Sequence, residues 1–207
     1  MSRGRLITIE GLDGAGKSTL ADGLAAELTS RGLRVEAMRE PGGVEASERI
    51  RALVKDASLR VDGRAEALLY AAARAQLVQE RLRPALDAGA IVLLDRFTDS
   101  SLAYQGAGRE LSVDEVATIN RFATAGIAPD RTLLLRIDPA RGRERQRNRA
   151  LEPDRLELEE EAFFARIALA YEELAEAEPQ RICVLDGSLP AGEVLREALA
   201  AIDDLLR

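Results

Sequence analysis

The chain has 207 residues, 46% of them hydrophobic and 31% charged, with a formal net charge of -7 and a pI of about 4.9. That length fits a single domain with one sizeable core, and the acidic balance excludes a protein that coats nucleic acid through a basic surface. Histidine is absent, which excludes imidazole-based nucleophilic catalysis and the common zinc sites; no window reaches the roughly 18 apolar residues of a membrane span and MSRGRLITIEG lacks a signal-peptide core, so a cytoplasmic protein with no membrane or nucleic-acid partner is expected.

In chain order, residues 6–10 form a short apolar run that reads as a strand, and GLDGAGKS follows it directly. That octapeptide satisfies G-x-x-x-x-G-K-[ST], and the helical periodicity of 17–31 supplies the context the motif requires. Its glycines let successive backbone N–H groups point inward beside the positive end of the helix, a nest for nucleotide phosphates. Gly11, Leu12, Asp13, Gly14, Ala15, Gly16, Lys17, Ser18 and Thr19 are the expected nucleotide contacts, with Lys17 on the β- and γ-phosphates and Ser18 on Mg²⁺. Lys17 and Lys55 are the only lysines in the chain, so an ammonium kept here against general arginine usage sharpens the signal.

A second strand is expected at 33–38, helices at 46–56 and 64–88, and a third strand at 90–94. The third ends in IVLLDRF, which puts Asp95 and Arg96 at the carboxyl edge of the sheet, where ligands of open parallel sheets bind. Asp95 suits a Mg²⁺ site, a helix-capping aspartate being the alternative, and Arg96 beside it suits a second anionic substrate. A helix at 113–125, a strand at 132–137, a helix at 156–177, a strand at 181–185 and a helix at 191–206 complete an alternation that implies a parallel sheet buried on both faces. Cys183, in ICVL, reads as a buried structural thiol.

Between the fourth strand and the next helix, 142–153 is polar and strongly charged and reads as an exposed excursion, a candidate lid. It overlaps RGRERQRNR at 141–149, five arginines in nine residues of an acidic chain. If that run is helical, Arg141, Arg145 and Arg149 share one face and Arg143 and Arg147 another. Two uses stay open: phosphate contacts, or ion pairs with Glu144, Glu152 and Asp154 on a solvated face.

GLDGAGKST, REPGGVEASERIR, ALLYAAARAQ, DRFTDSSLAYQGAGR and the distal DRLE, in that order and spacing, resemble bacterial thymidylate kinases with a basic lid over essentially the whole chain. The resemblance implies one P-loop kinase domain over 1–207 with a lid at about 141–155. It also implies the nucleoside-monophosphate-kinase-like, three-layer α/β/α fold with a five-stranded parallel sheet, a homodimer, and phosphorylation of dTMP to dTDP by ATP with Mg²⁺. Carried over by position, it puts Arg51 and Arg96 on the dTMP phosphate, Tyr70 stacked on thymine where phenylalanine is common, and Arg74 on the base. Ser101 and Gln105 fall on the other side of the base, Ser100 joins the dTMP site, Tyr104 falls at the 2' position, and Asp13 near the sugar and the transferred phosphate. Ala15 stands where some relatives carry an arginine, so Arg145, Arg147 and Arg149 are expected to join Lys17, Asp13 and Arg96 as the catalytic set, with Ser18 and Asp95 at the metal. The competing readings are a kinase of this fold with another monophosphate acceptor, a P-loop switch, which wants an N-K-x-D motif that this chain lacks, and a structural protein with an incidental phosphate loop.

Overall fold

The computed structural model describes residues 3–148 and 153–206. Five strands, β1 Arg5–Gly11, β2 Val35–Arg39, β3 Ile91–Asp95, β4 Arg131–Arg136 and β5 Ile182–Asp186, form one all-parallel sheet in the order β2-β3-β1-β4-β5. Strand alternation splits the core in two. Ile7, Ile9, Leu93, Leu133 and Leu135 belong to the larger cluster, packed with α1 Lys17–Ser30, α8 Glu161–Ala177 and α9 Ala191–Ile202. Leu6, Val92 and Leu94 belong to the smaller one, with residues from the end of α3 Gly63–Leu77 through α4 Arg83–Asp87. Full burial of each such leucine or isoleucine contributes roughly 1.5–3 kcal/mol.

The helices form where the sequence provides both a start and an apolar stripe. Asp62 caps α3 by accepting the Arg64 N–H, and Ser112 caps α6 Val113–Ala123 by accepting that of Glu115. Asp138 caps α7 Pro139–Arg147 by accepting from Ala140 and Arg141, with Pro139 at the first helical position. α1 has no such cap: Gly16 precedes it in the left-handed region and no side chain bonds its first turn, which leaves those N–H groups for an anion. α2 spans Glu45–Lys55.

Several expectations are corrected. The helix expected over 64–88 is interrupted by a π-helical turn at Val78–Leu82, one residue wider than an α-turn, before it resumes as α4. Residues 98–108, to which no element was assigned, are helical: α5 Thr98–Ser101 runs on into a π-helical segment, Leu102–Gly108. The helix expected from 156 starts at Glu161, because the Asp154 side chain accepts the N–H groups of Leu156 and Glu157 and folds 154–157 into a turn. Cys183 is only half-buried, as is Val184 beside it, because β5 is an edge strand. The opening of the expected lid is a helix, α7, and Gly142 on it is buried.

Candidate active site

The parallel strands point their carboxyl ends at one edge, where the segments that follow β1, β2 and β3, together with α2, α3 and residues 154–157, line a cleft of about 350 Å³. The cleft is lined by Asp13, Lys17, Ser18, Arg51, Tyr70, Arg74, Asp95, Arg96, Ser100, Ser101, Tyr104 and Gln105. It thus brings together every residue that the sequence assigns to the acceptor, the metal pair, and Lys17. Leu12, Ala15 and Thr19 lie in the loop or in α1 without lining it.

The phosphate loop is a closed structure. Lys17, on the first turn of α1, is buried and donates to the carbonyls of Gly11 at 3.1 Å and Leu12 at 2.9 Å, with Asp13 Oδ1 at 3.6 Å. Burial, aided by nearby Arg96 and opposed by Asp13 and Asp95, brings its ammonium down to about 8. Ser18 Oγ donates to Asp95 Oδ2 at 3.0 Å, so the first turn of α1 and the end of β3 bring the hydroxyl and the carboxylate together. Among the described residues no cluster of three carboxylate, cysteine or histidine side chains could hold a metal. A single hydroxyl with a single carboxylate suits Mg²⁺, which keeps waters and takes phosphate oxygens.

On the acceptor side, Arg96 follows β3 with φ 69°, a left-handed conformation costly for a residue with a side chain. The backbone is held there by the Arg96 N–H on the Ile9 carbonyl at 3.0 Å and the Phe97 N–H on Glu10 Oε1 at 2.7 Å. The guanidinium donates to Asp13 Oδ1 at 2.5 Å, to the Tyr104 hydroxyl at 3.0 Å and to Ser100 Oγ at 3.0 Å, and lies over the Tyr104 ring at 4.8 Å. Burial alone would raise the Asp13 carboxyl; Arg96 and Lys17 outweigh it and hold it well below the usual carboxylate range. Burial pushes the Tyr104 hydroxyl up, so it stays neutral and donates to Asp13 Oδ2 at 3.1 Å.

Glu10, buried near the carboxyl end of β1, also accepts from Ser100 Oγ at 2.5 Å and Tyr171 at 3.0 Å; burial and nearby Asp99 raise its carboxyl. A carboxylate inside an apolar strand was a visible signal that sequence reading passed over.

Tyr70 is half-buried on α3, and Arg74 one turn later is 1% exposed. Arg74 donates to Glu40 at 2.7 Å, Ser101 Oγ at 2.9 Å, the Phe97 carbonyl at 2.9 Å and Asn120. Its ion pair with Glu40 is therefore a buried one. Burial, countered by Arg74, pushes the Glu40 carboxyl up to about 7, and among the described residues its Oε1 has no partner. Arg51 donates to the Pro41 carbonyl at 2.9 Å, and burial beside Arg39 lowers it. Glu40, Lys55 and Asp154 complete the wall; the last two pair at 2.5 Å, and 40 and 154 sit in the quoted motifs REPGG and DRLE without having been assigned a role.

α7 lies directly on the phosphate loop. A Cβ on Gly14 would meet the Gly142 carbonyl at 2.2 Å, and one on Gly142 would meet the Asp13 carbonyl at 2.8 Å. Arg145 donates to the carbonyls of Gly14 at 3.3 Å and Gly187 at 3.0 Å. Arg143 lies over the Phe164 ring at 5.3 Å, and Arg147 is exposed. Arg149 lies outside the described residues.

The thymidylate kinase family model matches residues 9–198. The chain is 47% identical over 204 residues to a thymidylate kinase of Deinococcus radiodurans, covering 99% of this chain and 98% of the relative, and 46% identical over 204 residues to one from a Geobacillus species, covering 98% and 97%. The crystal structure of thymidylate kinase from Ehrlichia chaffeensis superposes with a TM-score of 0.78 at 26% identity, covering 97% of this chain and 99% of that one. A phosphate loop facing an arginine-centred acceptor cleft on this parallel sheet, with similarity spanning the whole chain, leaves one conclusion: the chain belongs to the thymidylate kinase family and phosphorylates dTMP to dTDP.

Proposed function

We propose that the cleft binds dTMP beside ATP in a single P-loop kinase domain over 1–207, with a basic lid at about 141–155. The observation that carries this reading is that Lys17 and the Asp13–Arg96–Tyr104 group line one cavity of about 350 Å³. A phosphate oxygen of dTMP is already an anionic nucleophile, so the reaction needs the two anions in line and their charge neutralised rather than a general base. The loop N–H groups and Lys17 hold the donor's phosphates. Arg96, kept rigid by Asp13, Tyr104 and Ser100, and Arg51 hold the acceptor phosphate. Tyr70 stacks on thymine, Arg74, Ser101 and Gln105 surround its polar edge, and Tyr104 crowds the 2' position. Ser18 and Asp95 would hold Mg²⁺, which neutralises phosphate charge when bound.

Arg145, Arg147 and Arg149 meet the charge that develops on the transferring phosphoryl group. For Arg145 this means exchanging backbone carbonyls for phosphate oxygens, a change that favours the charge-assisted bond. ADP release with Mg²⁺-ATP over a panel of nucleoside monophosphates tests the reading, on the wild type and on the Arg145→Ala/Arg147→Ala/Arg149→Ala variant. The expected result is turnover with dTMP, little with UMP, and a loss of roughly 10³-fold or more in the variant, mainly in kcat; an unimpaired variant makes the run a solvated face.

The enzyme works in the cytoplasm as a homodimer. No helix among the described residues is long and apolar enough to cross a membrane. α3 and α6 border an apolar groove of about 480 Å³ lined by Ala67, Leu68, Leu111, Val116 and Ile119, and Phe122 on α6 is 90% exposed. This face, which includes the apolar stretch 65–77, is where a second copy docks.

A further inference from the structure

Gln105 is the one side-chain amide among the residues that line the cleft, and its orientation is set from behind. Its Nε2 donates at 3.0 Å to Oε1 of Glu66, a carboxylate on α3 that is 0% exposed. Glu66 Oε2 accepts from Arg109 Nη2 at 3.0 Å and from Arg155 Nη2 at 2.6 Å, and Arg109 Nε lies 3.2–3.3 Å from both oxygens. A carboxylate that already serves two guanidinium groups offers Gln105 lone pairs only. Turned the other way, the amide would set its oxygen against Glu66, acceptor against acceptor in a site closed to water, so the flip is disfavoured. Among the described residues nothing donates to Gln105 Oε1, which leaves that oxygen available to a ligand in the cleft.

Thymine and uracil carry a proton on N3, whereas cytosine has a lone pair there. An amide oxygen held toward the base accepts from the first two and is left facing a second acceptor with the third. We propose that Glu66 is a positioning residue for specificity: it fixes the Gln105 amide with its oxygen toward the cleft, so that the acceptor site takes a pyrimidine bearing N3–H and rejects one with a bare N3. This rests on the reading above that Gln105 meets the base. Arg155, in the DRLE turn, also donates to the Val54 carbonyl at 3.0 Å and so ties Glu66 to the end of α2 as well.

The test compares kcat/KM for dTMP, dUMP and dCMP in the wild type, Glu66→Gln and Gln105→Ala. Glutamine at 66 presents either a donor or an acceptor, so the Gln105 amide is free to turn. The dTMP to dCMP preference should then narrow by roughly tenfold to a hundredfold, the effect of one buried hydrogen bond made or lost. The KM for dTMP should rise, dUMP should follow dTMP, and the KM for ATP should hold. A residue that only packs would lower turnover on all three acceptors in proportion, and an unchanged preference overturns the proposal. Should Glu66→Gln fail to fold, Glu66→Gln/Arg109→Gln restores the charge balance and is assayed against the same two outcomes. An unchanged KM for dTMP in Gln105→Ala takes Gln105 off the base and so defeats the acceptor reading itself, a failure distinct from an altered KM there with preference intact in Glu66→Gln.

Discussion

Lys17 is a cleft residue whose charge is sensitive to pH. Its ammonium is brought down to about 8 by burial, beside Arg96 and against the pull of Asp13 and Asp95. A lysine with a folded value below its unfolded one costs stability below the folded value, and the cost disappears as pH rises toward 10.5. ATP reverses the balance, because polyphosphate charge restores the protonated form. Nucleotide binding at about pH 8 should therefore take up a fraction of a proton and at pH 6.5 none, and affinity should fall as pH rises past 8; calorimetry in buffers of different ionisation enthalpy measures both.

Arg74 makes the opposite case, a buried cation whose donors go to Glu40, Ser101, Asn120 and Phe97. Arg74→Met leaves the Glu40 carboxylate without its cation, and a loss of about 3–5 kcal/mol in chemical denaturation is expected. Part of this was legible: Tyr70 and Arg74 are i and i+4, and Glu66 continues the same stripe at i−4 from Tyr70. What the spacing could not say is that Arg74 is sealed by partners from β2, α5 and α6, since the approach of distant elements leaves no local trace.

At the scale of elements, α7 and the phosphate loop meet in direct contact. Gly14 (φ 80°) and Gly142 meet backbone to backbone, so neither tolerates a side chain without moving the other. Gly142→Ala should lift α7 off the loop, costing about 1–3 kcal/mol of stability and lowering kcat more than it raises the KM for dTMP; steady-state kinetics with a thermal melt checks both. The strands and the larger helices were legible from periodicity because each has a β-branched or amphipathic stripe. The helical turns of 98–108 were not: TDSSLAYQGAG combines cap-forming residues and glycines, and what makes it helical is packing against α6 and α8. Residues 141–147 carried the right charge and helical spacing, but nothing in an arginine run reveals that a glycine within it docks on the loop.

The whole molecule presents an apolar face on α3 and α6 that its own core does not cover. Leu68→Asp/Phe122→Asp should leave the fold intact, since these side chains are 57% and 90% exposed, and convert a dimer to a monomer in sedimentation velocity. A wild type that sediments as a monomer sinks that assembly. Fold class was readable from strand and helix alternation alone, whereas the apolar stretch 65–77 could be named as a candidate contact surface but not separated from ordinary helix burial, because an apolar stripe has the same period whichever surface meets it. Strand order has a consequence of another kind. β1 carries the phosphate loop yet pairs with β3 and β4, never with β2, so its two neighbours are Ile91–Asp95 and Arg131–Arg136. On a chain emerging amino end first, the phosphate loop is made well before its frame: it has no complete sheet around it until residue 136 is free, and an ATP-binding fold cannot precede that point in synthesis.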